Sequence, residues 1–147
     1  MLTALVLGSC DTVDCSLNNT VFCYLSFYNA EGQKVALKDT LSITAYGTET
    51  VLYNRGVGKS DVAIPMSYYN DADTLVFTLW GKDYRTSSTV VVDKKNVVHF
   101  ESPDCPVNMF HDITTAKVTR GKLIDSVKVV KPSVNYQRDE NLRLYVN

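Results

Sequence analysis

From Val21 onward, apolar and polar residues alternate in short runs separated by turn-forming residues, the pattern of strands that bury one face and wet the other. In the first run Val21, Cys23, Leu25 and Phe27 fall on one side, with Phe22, Tyr24 and Ser26 on the other. Leu41, Ile43 and Ala45 alternate with Thr40, Ser42, Thr44 and Tyr46, and Leu75, Phe77 and Leu79 with Thr74, Thr78 and Trp80. Leu142, Leu144 and Val146 repeat the pattern at the end. Further strands are predicted over residues 50–54, 62–66, 89–93, 97–101, 113–119 and 123–131, for a total of eight to ten, and no stretch reads as a helix. Turns are expected where Gly, Asn and Asp gather, including residues 70–73, 81–83, 93–96 and 120–122. Strands this closely spaced favour antiparallel hairpins over parallel pairs, which need long crossovers. The predicted fold is therefore all-β, an antiparallel β-sandwich of immunoglobulin-like type over residues 21–147. Pro65 lacks a ladder donor, which puts its strand at a sheet edge or beside a bulge.

The chain's 147 residues suit one domain with a core of its own. Its net charge of -1, with Lys and Arg scattered among Asp and Glu, offers no footprint for nucleic acid. No apolar run reaches the roughly 20 residues a membrane-spanning helix needs. The start of the chain changes the picture. Residues 2–7 are apolar apart from Thr3, and Leu7-Gly8-Ser9-Cys10 has the order of a bacterial lipobox, whose small residues admit a signal peptidase and whose cysteine thiol takes a diacylglycerol. Residues 1–9 are accordingly read as the end of a signal peptide, residues 10–20 as a tether, and Cys10 as the lipidation site that binds the protein to a membrane. A short buried N-terminal strand remains the alternative.

Three thiols are left, an odd number. Export implies an oxidising compartment and so one disulfide. The alternation points Cys23 into the core, where a thiol behaves as a small hydrophobe. Cys15 and Cys105 lie in polar, turn-rich segments, and a bridge between them would pin the tether to the domain.

Candidate chemistry is sparse. Gly58-Lys59-Ser60 ends like a phosphate-binding loop, but Tyr53 stands where its first glycine belongs and a strand follows where a helix is required. Asp71 and Asp73 do not open a calcium loop, since Leu75 and Val76 occupy a ligand and the glycine position. His99 and His111, the only histidines, have no partner at zinc-ligand spacing, so neither metal nor cofactor is expected. His99 is expected in a strand with its ring in solvent. There is no G-x-S-x-G elbow, which leaves a hydrolase only as a triad assembled around His111-Asp112 from distant residues. Tyr24, Tyr46, Trp80 and Tyr145 fall on the polar phase of their strands; gathered in one patch they would stack on sugars or form a protein interface, and dispersed they would merely cover the sheets. Asp precedes a hydroxyl and an aliphatic residue at Thr12, Thr40, Thr74 and Ser126, an order that looks like the periplasmic O-glycosylation acceptor of some Gram-negative anaerobes, though three of the four also read as strand beginnings.

Cys10 and Cys15, the Asp39-Thr40-Leu41 strand opening, the residues Phe100-Glu101-Ser102-Pro103-Asp104-Cys105, then Leu123-Ile124-Asp125-Ser126-Val127, Val134-Asn135-Tyr136 and Glu140-Asn141-Leu142-Arg143-Leu144-Tyr145 together resemble an uncharacterised lipoprotein family of gut Gram-negative anaerobes, a domain of unknown function. The resemblance implies a β-rich, lipid-anchored envelope protein and no activity. It also implies paired cysteines at Cys15 and Cys105, with Cys23 a departure. The expected role is a non-enzymatic module of the cell envelope, at the outer rather than the inner membrane, with an envelope protein as partner. A glycan-binding or adhesive module is the alternative, and a hydrolase the second.

Overall fold

The computed structural model describes Cys15 and residues 20–147. The lipidation site Cys10, the acceptor Thr12, the signal-peptide end and most of the tether lie outside the described residues. Ten strands and no helix make up the described chain. They are β1 (Cys23–Tyr28), β2 (Thr40–Ala45), β3 (Val51–Gly56), β4 (Asp61–Ile64), β5 (Ala72–Trp80), β6 (Arg85–His99), β7 (Asn108–Gly121), β8 (Ile124–Val129), β9 (Ser133–Val134) and β10 (Glu140–Val146). Two sheets result, a small one in the order β4-β1-β10-β8 and a large one in the order β3-β2-β5-β6-β7-β9.

The alternation read from the sequence decides which side chains meet. Cys23, Leu25, Phe27, Val62, Ile64, Leu142 and Leu144 come from the small sheet, and Leu41, Ile43, Leu75, Phe77, Val90, Val92 and Ile113 from the large one; all join a single buried cluster between the two. Pro65 follows directly on β4, an edge strand of the small sheet, as a residue without a ladder donor requires.

Three features depart from the reading. β1 and β10 pair in parallel, with Phe27 opposite Leu144, because the first and last strands of the sheet have the whole chain between them as a crossover. Residues 93–96 are not a turn: β6 runs through them, and the β6–β7 register shifts beside Asp93 and Lys94, where β7 carries one extra residue, Thr114. The two strands expected at 89–93 and 97–101 are thus one long strand ending at His99. Ser133–Val134, read as part of no strand, forms β9 against His111 and Asp112.

β6 and β7 therefore outrun the sheet. β5 pairs with β6 only as far as Ala72 and Asp93, and the β6–β7 ladder continues to His99 and Asn108. At about 3.3 Å per residue the hairpin projects roughly 20 Å past β5. At the other end of the sandwich Gly121, with φ of +102°, turns the chain from the large sheet towards the small one. The buried hydroxyl of Ser88 there accepts a hydrogen bond from the Ile124 amide at 2.9 Å.

Candidate functional sites

The inner face of the large sheet does not end where its apolar residues end. Beyond Val92 the same face of β6 carries Lys94 and Asn96, with His111 opposite Asn96 on β7 and Asp73 beside them on β5. Sequence reading assigned Lys94 and Asn96 to a turn, so their inward direction escaped it. The Lys94 side chain is 0% exposed. Its Nζ donates to the backbone oxygens of Ser67 (2.7 Å) and Asn70 (2.6 Å) and to Asn96 Oδ1 (2.6 Å), and lies 3.8 Å from Asp73 Oδ2. A neutral amine has only two N–H groups, so three donated bonds require the ammonium. Burial draws the Lys94 pKa down, and Asp73 and Asp71 work against that fall.

Asn96 completes the network. Its Oδ1 also accepts from His111 Nδ1 at 2.8 Å, and its Nδ2 donates to the Asn70 oxygen at 3.0 Å. That places the His111 proton on Nδ1. Burial, with the Lys94 charge adding to it, pushes the His111 pKa down to about 4, so the ring is neutral. Asp73 accepts from the Ser67 amide (3.1 Å) and the Ser67 hydroxyl (2.5 Å). The serine hydroxyl thus faces a carboxylate and not an imidazole. Ser67, Asp73 and His111 therefore do not line up as a serine–histidine–carboxylate relay, because His111 bonds to Asn96 and the carboxylate sits directly on Ser67 Oγ. Instead the network clamps the segment between β4 and β5 onto the sheet.

A cleft of about 480 Å³ opens beside this segment, with Leu52, Pro65, Met66 and Leu75 as apolar walls and Tyr46, Thr48 and Thr50 as hydroxyl rim. Asp73, its one charged lining residue, is already engaged by Ser67 and Lys94.

The candidate aromatics do not converge. Trp80 and Tyr46 belong to the large sheet, near opposite ends of β2: Thr40 pairs with Trp80, whereas the Tyr46 amide bonds to the Thr74 oxygen, six residues or about 20 Å away. Tyr24 and Tyr145 lie on the small sheet, with Tyr145 opposite Tyr28. Arginines cover two of the ring faces nearby. The Arg85 guanidinium lies 4.4 Å from the centre of the Trp80 ring, and that of Arg143 lies 4.8 Å from the centre of Tyr28. Arg143 is held there by Glu140, whose Oε2 accepts from both its Nε and NH2 at 3.0 Å. Burial raises the Glu140 pKa, but the bonds from Arg143 and Tyr28 outweigh it and leave the carboxyl below its ordinary value.

Of the described acceptor hydroxyls, Thr40 opens β2, Thr74 lies in β5 and both are half-buried, while Ser126 is exposed on β8. His99 is not a free ring in solvent as the strand reading had it. It stacks on Phe110 with centroids 4.2 Å apart, meets Tyr136 edge-on and bonds to Glu101 at 3.1 Å. Among the described residues no three His, Cys, Asp or Glu side chains gather as metal ligands.

The cysteines separate as their surroundings predict. Cys15 and Cys105 are bonded, closing a separation of 90 residues with their Cα atoms 5.5 Å apart. Cys23 is free and buried, its thiol pushed up to about 12 chiefly by desolvation. Cys105 belongs to the loop joining β6 to β7, so the bridge fastens the beginning of the chain to the tip of the projecting hairpin.

These features define an all-β, two-sheet protein whose buried polar network stabilises the fold and whose N-terminal segment is fastened to one end. The chain belongs to a family of unknown function, DUF6452, whose model matches residues 17–146. No curated protein and no solved structure matches it.

Proposed function

We propose that this protein is a non-enzymatic, lipid-anchored module of the cell envelope, attached through Cys10, that works by binding another protein. The observation that carries the reading is the engagement of its reactive groups within the fold: His111 is neutral and bonded to Asn96, His99 is stacked, and Ser67 donates to Asp73. A histidine base needs a ring nitrogen within reach of the group it activates, and His111 and His99 bond instead to Asn96 and Glu101, while the carboxylate that Ser67 meets is shared with Lys94. An immunoglobulin-like sandwich is the finer form of this fold, supported by two largely antiparallel sheets about one core. The outer membrane is the proposed address.

Protein is favoured over glycan as partner because Tyr24, Tyr46, Trp80 and Tyr145 are spread over two sheets instead of forming one stacking platform, and a guanidinium lies over Trp80. Arginine and tyrosine side by side are instead characteristic of protein contact hot spots. The surface offered is the outer face of the small sheet around Tyr28, Arg143 and Tyr145.

The intact mass of the chain purified from its native membrane tests the anchor. A mass starting at Cys10 and increased by a diacylglycerol is expected, together with release of Cys10→Ala protein into the soluble fraction; a mass explained by polypeptide alone refutes it. A photo-crosslinking residue at Tyr145 is expected to capture a defined envelope protein that the same residue at Tyr84, at the far end of the large sheet, does not. Equal capture at both sites refutes the assigned surface.

A further inference from the structure

The projecting hairpin ends in apolar side chains that are exposed among the described residues. Val98 is 58% exposed, Phe100 61% and Val107 59%. Val97, 44% exposed, points to the opposite face from Val98, because successive residues of a strand alternate. Beside them stands the segment held by Lys94, which presents Tyr68 and Tyr69, the latter 91% exposed. Several large apolar side chains exposed at one end of a molecule mark a contact site. Its distribution over both faces of a thin hairpin is the informative part: one flat protein surface covers one face, whereas a fluid phase closes around both.

We propose that this end of the molecule is a membrane-seating surface, with the β6–β7 tip and the adjoining tyrosines resting in the headgroup region of a phospholipid bilayer. The inference rests on the lipid-anchor reading and adds to it the orientation of the body. Two observations favour lipid over a second copy or another protein. First, the disulfide places Cys15 on the loop that carries Phe100 and Val107, and Cys10 lies only five residues before Cys15. At most about 3.6 Å per residue allows roughly 18 Å of reach, so a lipid on Cys10 holds this end and no other against the bilayer. Second, Tyr68 and Tyr69 are exposed on the segment clamped to the base of the hairpin, and a tyrosine combines an apolar ring with a polar end suited to the water–hydrocarbon boundary. The connecting loop contains Glu101 and Asp104 and no cation, so the contact is apolar and independent of anionic lipid.

The test couples the full 147-residue chain through Cys10 to a maleimide-bearing lipid in phosphatidylcholine vesicles. This supplies the tether whether or not cells acylate the cysteine, so failure of the seating and failure of the anchor are read separately, the latter by the intact mass. Trp80, at the opposite end of the sheet, is the internal reference. In a Trp80→Phe background, Phe100→Trp places the sole indole at the tip. Acyl-chain-brominated vesicles are expected to cut its emission about twofold, while Trp80 in the natural chain changes by less than about a tenth. Raising salt from about 0.1 to about 1 M should leave both values unchanged. Absence of quenching at position 100, or equal quenching at both positions, overturns the proposal. So does an indole at position 100 that is already blue-shifted and shielded before vesicles are added, since the tip would then be covered by protein. Val98→Trp repeats the measurement if Phe100→Trp does not fold.

Discussion

Replacing Lys94 by methionine removes a buried ammonium while keeping most of its volume. The substitution strips a donor from the Ser67 and Asn70 oxygens and from Asn96 Oδ1, and takes away the cation 3.8 Å from Asp73. Deleting one partner of a buried charged pair typically costs about 3–5 kcal/mol, because the other is left uncompensated. Asp73 is 11% exposed and keeps both bonds from Ser67, which places the expected loss near the lower end, about 3 kcal/mol. With a urea dependence of about 2 kcal/mol per molar, the unfolding midpoint should fall by about 1.5 M at unchanged slope. Asp73→Asn in the Lys94→Met background should be less damaging than the sum of the two single changes, with a coupling of about 1–3 kcal/mol. Amide exchange should quicken first in the Ser67 to Asn70 segment, where the lysine acts as a clamp. A Lys94→Met protein within about 1 kcal/mol of the natural one, with that segment still protected, would refute the assignment of the network as a stabilising plug.

Two further predictions address the same framework. His111 titrates near 4 in the folded state against 6.5 as a free group, so the unfolded chain takes up its proton first. The stability it contributes is complete above about pH 6.5 and is lost as pH falls towards 4, about 3 kcal/mol in total; His111→Gln should flatten the acid side of the stability profile by that amount, and superimposable profiles would contradict it. At Gly121 any Cβ would fall inside contact distance of the Ser87 backbone oxygen, at a φ that L residues rarely adopt. Gly121→Ala should therefore cost about 2–4 kcal/mol and lower the melting temperature by roughly 10 °C, and a shift under about 2 °C would show that the turn can relax.

Much of this framework is legible in the chain itself. Period-two alternation fixes which residues of β1, β2, β5 and β10 face inward, since each strand carries its own record of one dry and one wet side. The same record buries Cys23 and leaves Cys15 and Cys105 to pair. Lys94 broke the rule for a physical reason: a charged residue reads as solvated, and the backbone oxygens of Ser67 and Asn70, brought from 27 and 24 residues away, help make its burial tolerable. The parallel pairing of β1 with β10 and the two residues of β9 likewise depend on partners distant in the chain, as does the scattering of Tyr24, Tyr46, Trp80 and Tyr145 over two sheets. Sequence determined the faces of the strands because alternation is local, whereas neighbours, register and the projecting apolar tip were decided by tertiary structure, because those contacts join segments that carry no local mark of one another.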